Sequence, residues 1–253
     1  MAMKFGIMKA HQERVRNEGQ VIASMPQRKA APAESHGKGL LAGKKLEDFL
    51  SASLAEDLAT LKSLASVMAK VAHKRDVLLP KYASYVARLR EQGAKHELLG
   101  YWLVWQFDAG RMDEAMEYAE WCMNAGITLP QRFQSTIPFF VASQVADWAE
   151  AEFNGNRSVE PYFTNCAQGI AENPAVWNLP DDLTARYHRL LGLAAERAGN
   201  LAEAETQLQK ALTLGAKVNT ALGRVRKKIE RGGAAPEGET AKAEAVSGSA
   251  AYG

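Results

Sequence analysis

Cysteine is almost absent: Cys122 and Cys166 are the only two in 253 residues. Two thiols in a chain of this size make no disulfide framework and point to a reducing compartment. They also exclude a zinc site of the CxxC type, and the five histidines show no ligand spacing. Long hydrophobic runs are missing too. No stretch reaches the roughly 20 apolar residues that span a bilayer, and the first residues lack the apolar run of a secretory signal. The expectation is a soluble cytoplasmic protein with no membrane partner. A glycine-rich phosphate loop is lacking, because Gly37-Lys38-Gly39 has neither a strand before it nor a helix after it. Strand-like alternation is found nowhere, so the expected fold is all-α.

Charge is balanced overall, with 31 Lys and Arg against 29 Asp and Glu, but it is unevenly placed. Residues 1–45 carry nine bases against three acids, and residues 217–231 carry six against one. Between them, residues 46–216 carry fifteen against twenty-two, a net of −7. An acidic body between two basic segments suits an anionic partner held by the ends, or simply basic ends that keep the protein soluble.

Residues 1–45 read as a basic flexible arm, punctuated by Pro26, Pro32, Gly37, Gly39 and Gly43. From Leu46 the pattern changes. Leu50, Leu54, Leu58, Leu61, Leu64, Met68 and Val71 recur at helical spacing, with Asp57 interrupting, and no Gly or Pro intervenes before Pro80. This predicts one long helix within 46–77, of the kind that packs on a partner helix of its own chain or of another subunit. A shorter helix follows over Tyr82–Gln92. The most apolar stretch, Leu98–Pro130, reads as two antiparallel helices turning at Ala109-Gly110 and stopping at Gly126, with Pro130 blocking a restart. Pro138 suits the first turn of a helix reaching about Phe153, and Pro161–Glu172 makes a shorter one. Asp181-Asp182 opens the next helix, Leu201–Leu214 pairs with it, and Val218–Arg231 closes the array. Residues 232–253 show no periodicity and are expected to be a disordered tail.

Two hairpins share a spacing. Ala109-Gly110, Glu114-Ala115 and Gly126 recur 89 residues later as Ala198-Gly199, Glu203-Ala204 and Gly215. The later one, with Leu191-Gly192, Ala204, Leu208, Ala211 and Leu214, resembles half of a tetratricopeptide repeat. The expectation for 46–231 is therefore an irregular array of helical hairpins, with a tetratricopeptide-like hairpin plus a basic helix over 181–231.

No catalytic constellation stands out. Asp113, Glu114 and Glu117, or Asp181 and Asp182, are the carboxylates a Mg²⁺ nuclease could draw on. On a wet helix face or in a first turn, such acids ordinarily serve solvation and the helix dipole. His188 reads as a structural residue of its hairpin. The basic segments are the better functional signal. The candidate phosphate contacts are Arg14, Arg16, Arg28, Lys29, Lys38, Lys44 and Lys45 in the arm, and Arg224, Arg226, Lys227, Lys228 and Arg231 in the last helix. Those on the last helix equally suit a solvated cap on the array.

The order of these features resembles a known family. It comprises the basic arm; the helix with Asp57, Leu61 and Lys62; Lys74-Arg75-Asp76-Val77-Leu78-Leu79-Pro80; Trp105 and Asp108-Ala109-Gly110; Glu114-Ala115; Gly126-Ile127-Thr128-Leu129-Pro130; the Phe133–Pro138 loop; and the terminal hairpin. Over roughly residues 45–230 the chain is similar to the small terminase subunit, or endonuclease subunit, of temperate tailed phages with cohesive ends. That resemblance implies a subunit that binds the packaging site on concatemeric double-stranded DNA and presents it to the large ATPase subunit. It also implies a homo-oligomer, with a ring as the common form. In such terminases the metal nuclease site generally lies in the large subunit, so no cofactor is expected here, and Mg²⁺ only if the nuclease were intrinsic. The alternatives are an intrinsic Mg²⁺-dependent endonuclease subunit, and a helical-hairpin scaffold that binds protein alone.

Overall fold

Helix after helix, each closed by a glycine or proline signal, builds the chain in the computed structural model, which describes residues 36–233 and their side chains from 44 to 232. Every regular element among the described residues is helical, so the fold is all-α. In order these are α1 (His36–Ser63), α2 (Val67–His73), α3 (Leu79–Glu91), α4 (Glu97–Asp108), α5 (Met112–Ala125) and α6 (Ile137–Asn154). There follow α7 (Tyr162–Glu172), the single turn α8 (Pro174–Trp177), α9 (Asp181–Arg197), α10 (Leu201–Thr213) and α11 (Asn219–Gly233). The described residues divide into two compact units, which part between Leu179 and Pro180. The tail expected over 232–253 and the arm before residue 36 lie outside the described residues, apart from the end of α11.

The start of the first unit differs from the sequence reading in two ways. Helix α1 begins at His36, not Leu46, and takes in Gly37, Gly39 and Gly43. Each glycine inside a helix costs only about 1 kcal/mol relative to alanine, which slows a helix without forbidding it. The helix expected to run unbroken toward Pro80 closes at Ser63 instead. Ser66 then caps a new helix, its hydroxyl accepting from the Ala69 N–H at 3.3 Å. From Val67 the backbone stays helical through Pro80, with a π-helical turn at Lys74–Leu78. Proline has no N–H to donate, and its ring crowds the carbonyl four residues back, so a widened turn just before Pro80 is where that conflict is relieved.

The expected apolar seam is accordingly split. Leu50, Leu54 and Leu61 are buried against their own chain, whereas Met68 is 77% exposed and Val67 72%. Asp57, which breaks the apolar pattern, accepts hydrogen bonds from the Lys81 ammonium at 2.7 Å and the Tyr82 hydroxyl at 2.5 Å. It ties α1 to α3, and the Tyr82 ring in turn lies 5.9 Å from that of Trp105 on α4.

Helix α4 is the centre of this unit. All ten residues from Leu98 to Phe107 are buried, because α1, α3 and α5 pack around it. Gly100 is the point of closest approach: a Cβ there would stand 2.6 Å from the Thr128 carbonyl oxygen and 2.8 Å from Pro130 Cδ. Helix α5 ends as expected, with Gly126 at φ 64°, ψ 37° in the left-handed conformation. Trp105, Met116 and Cys122 are fully or nearly fully buried, and Tyr162 of α7 donates to Asp113 at the start of α5 at 2.7 Å.

The second unit is a hairpin of α9 and α10 with α11 packed on α10. Gly192 makes the close approach here. A Cβ on it would lie 2.7 Å from Leu208 Cγ, so α9 and α10 meet at a distance only glycine permits. Ala204, Leu208, Ala211, Val218, Leu222 and Val225 form the core.

The 89-residue correspondence extends to the backbone. Ala109, Gly110 and Arg111 donate to Trp105, Phe107 and Gln106, and Ala198, Gly199 and Asn200 donate to Ala194, Glu196 and Ala195 in the same pattern. At the far ends Gly126 and Ile127 bond to Met123 and Cys122, as Gly215 and Ala216 bond to Leu212 and Ala211. All four glycines have positive φ. A left-handed residue closes the last carbonyls of each helix in the same way, so the matched spacing reflects matched turns.

Candidate nucleic-acid interface

Helix α11 carries its charges on one side because Val218, Leu222 and Val225 take the other side into the core. Its five cations, for which phosphate contact and a solvated cap stood equally open, are divided by the structure. Arg224 forks onto Glu196 of α9, Nε to Oε1 at 2.7 Å and a terminal nitrogen to Oε2 at 2.6 Å. Lys228 reaches the same carboxylate at 2.8 Å. Arg226 bonds Glu205 at 2.7 Å and Gln209 at 3.0 Å on α10. Lys227 and Arg231 are exposed and make no such pair among the described residues. Glu196 is the hub. Its side chain is 7% exposed, and the Arg224 guanidinium, aided by Lys228, pulls its carboxyl down to about 2 against the cost of burial.

In the arm, Lys44 and Lys45 are exposed near the start of α1. Lys38 belongs to α1 but precedes its described side chains, and Arg14, Arg16, Arg28 and Lys29 lie outside the described residues.

The acids considered for metal chemistry do not converge. Asp113 accepts from Tyr162, and Asp181 and Asp182 open α9, where a first-turn carboxylate complements the helix dipole. Among the described residues no group of three or more His, Cys, Asp or Glu side chains is placed to hold a metal ion. His188 hydrogen-bonds Gln207 across the α9–α10 hairpin at 2.6 Å. No described helix is long and apolar enough to cross a membrane.

A second basic feature escaped the sequence reading. A cleft of about 450 Å³ in the first unit is lined by Lys62, Lys70, Lys74 and Arg132 above an apolar floor of Leu58 and Leu61. Lys74 is held by Asp108 at 2.6 Å, and Arg132 stacks over Tyr101 and Phe133 with centroid distances of 5.0 and 4.6 Å. These cations sit in the segment whose net charge is negative, so no local charge run announces them. The one visible hint is the four-residue step from Lys70 to Lys74, which puts both on one helix face. Arg132 comes from a distant loop and only the fold brings it in.

Fold and surface together define an all-α protein of paired helices whose polar chemistry is electrostatic. The profile of the phage small terminase subunit family matches residues 51–182. A probable terminase endonuclease subunit of Haemophilus phage HP1 is 31% identical over 143 residues, which are 56% of this chain and 50% of that protein. The terminase endonuclease subunit of Escherichia phage P2 is 31% identical over 180 residues, 70% of this chain and 69% of that protein. The chain belongs to the phage small terminase subunit family. It spans about half the length of the HP1 relative. No solved structure matches it.

Proposed function

We propose that this chain recognises the packaging site on concatemeric, cohesive-ended phage DNA and delivers it to the large ATPase subunit, which cuts and translocates. Family membership carries the reading. The exposed, unpaired Lys227 and Arg231 support it, with the exposed Lys44 and Lys45 at the other end of the described chain. Phosphate contact needs free cations and asks for no further catalytic groups. The host bacterial cytoplasm is where such a subunit would work.

The two phage relatives are called endonuclease subunits, which makes intrinsic cleavage the competing reading. A two-metal nuclease needs carboxylates converging on Mg²⁺, and among the described residues no three His, Cys, Asp or Glu side chains come together to hold a metal ion. Cohesive-end DNA incubated with the purified chain and Mg²⁺ should stay intact, and be cut once the large subunit and ATP are added. Cleavage by the chain alone would transfer the nuclease role to it.

Self-association belongs to the same proposal. Helix α2 has no buried residue, and its adjacent Val67 and Met68 stand 72% and 77% exposed. Two neighbouring large apolar side chains this exposed on a short helix make it the segment to which we assign a subunit contact. A second copy of this chain is the partner that a ring would supply.

A further inference from the structure

We infer that the cleft between α1, α2 and the loop at Arg132 is a DNA-backbone site, which takes the phosphates of a duplex. This rests on the packaging reading and adds to it a contact surface inside the acidic body of the protein. Three observations carry it. Lys62, Lys70, Lys74 and Arg132 come together from three separate places in the chain, and no carboxylate lines the space with them. Of the four, only Lys74 is neutralised, by Asp108, while Lys62 and Lys70 have no ion pair or side-chain hydrogen bond among the described residues. Uncompensated positive charge is thus gathered in a concave surface of a segment that is otherwise net negative, and like charges are held together there at an electrostatic cost that an anion relieves.

The donor set says which anion. A free phosphate is usually enclosed by backbone N–H groups and hydroxyls in a tight nest. This cleft has room for several phosphate-sized groups, and its donors are flexible lysine ammoniums with one arginine. Lysine acts as a point charge with no fixed geometry, suited to a backbone whose phosphates need only be neutralised. Arg132 is different. Its guanidinium is already held against the rings of Tyr101 and Phe133, so it meets a phosphate with little ordering cost. Cations of this kind neutralise phosphates and set the register of a duplex, and that positioning role is the one assigned to the cleft.

The test is the salt dependence of binding of the full chain to a packaging-site duplex, compared among the wild type, the double variant Lys62→Gln, Lys70→Gln, and Lys95→Gln. Lys95 is an exposed lysine that does not line the cleft. The double variant should bind on the order of tenfold more weakly at ~0.1 M salt, and the slope of log K against log salt should fall by about 2, one for each lost phosphate contact. Its thermal melt should match the wild type, since neither lysine holds a partner. Lys95→Gln should bind as the wild type does. An unchanged slope in the double variant overturns the cleft and leaves the packaging reading standing. An equal loss in Lys95→Gln also overturns it, by showing a general charge effect. Failure of the wild type to bind any duplex brings down both.

Discussion

Arg224 of α11 places two guanidinium nitrogens on the two carboxylate oxygens of Glu196 at the end of α9, at 2.7 and 2.6 Å. Lys228 adds a third bond to the same group. The basic face of the last helix is therefore partly an internal fastening. Three of its five cations hold α11 to α9 and α10, and Lys227 and Arg231 make no ion pair among the described residues. Of the two roles that the sequence left open, the cap falls to Arg224, Arg226 and Lys228, and the proposed phosphate contact is assigned to Lys227 and Arg231.

Acid should loosen the second unit through Glu196. Its folded pKa, about 2, lies below the ordinary 4.5, so its contribution is fully present above about pH 5 and is lost as pH falls from 4.5 toward 2. The loss amounts to about 2–3 kcal/mol at its largest. Urea titrations followed by circular dichroism should show a lower midpoint at pH 3 than at pH 7, and Glu196→Gln should flatten that difference. An unchanged acid dependence in the variant would assign the effect to other carboxylates.

The division of labour along α11 separates by measurement. Lys227→Gln with Arg231→Gln should weaken duplex binding with the thermal midpoint unchanged. Arg224→Gln should cost stability by about 1–3 kcal/mol, because it leaves the buried carboxylate of Glu196 with Lys228 alone. Both variants losing binding equally with neither losing stability would contradict the assignment.

Glycine is required at two helix contacts for reasons of space. Gly192→Ala presses a methyl group onto Leu208, a side chain that can shift, and should cost about 1–3 kcal/mol. Gly100→Ala meets the Thr128 backbone oxygen and the Pro130 ring, which cannot move without displacing the segment after α5, and should cost at least as much. Chemical denaturation of the two variants checks the order.

Met68→Glu together with Val67→Glu places two charges on a surface that already faces solvent in the single chain. If α2 packs on a second copy, light scattering should show a smaller assembly while the helical content stays the same. Unchanged mass would put the subunit interface elsewhere.

Much of this architecture is legible in the sequence where one local rule decides. The left-handed stops at Gly126 and Gly215, the Ala-Gly turns and the largely apolar helix from Leu98 to Phe107 all stand where periodicity and glycine place them. What was not legible depended on competition. Periodicity carried the first helix on through Leu64-Ala65, but Ser66 offers a cap that restarts it. Asp57 looked like a flaw in the apolar seam until Lys81 and Tyr82, more than twenty residues on, gave it partners. The basic cleft was hidden for a similar reason, since Arg132 reaches it through the fold and the surrounding acids mask it in any charge count. For α11, composition marks a basic helix, but only the position of Glu196 and Glu205 tells which cations are already used.

Recognition of DNA by this chain is tested most directly by a fluorescence anisotropy titration of the full chain against a packaging-site duplex and a scrambled duplex of the same length, at several salt concentrations. Affinity that falls linearly with log salt, by roughly one power per phosphate contact, and that favours the packaging site is the expected result. Equal and negligible binding to both duplexes at ~0.05 M salt, where electrostatic contact is strongest, would contradict it.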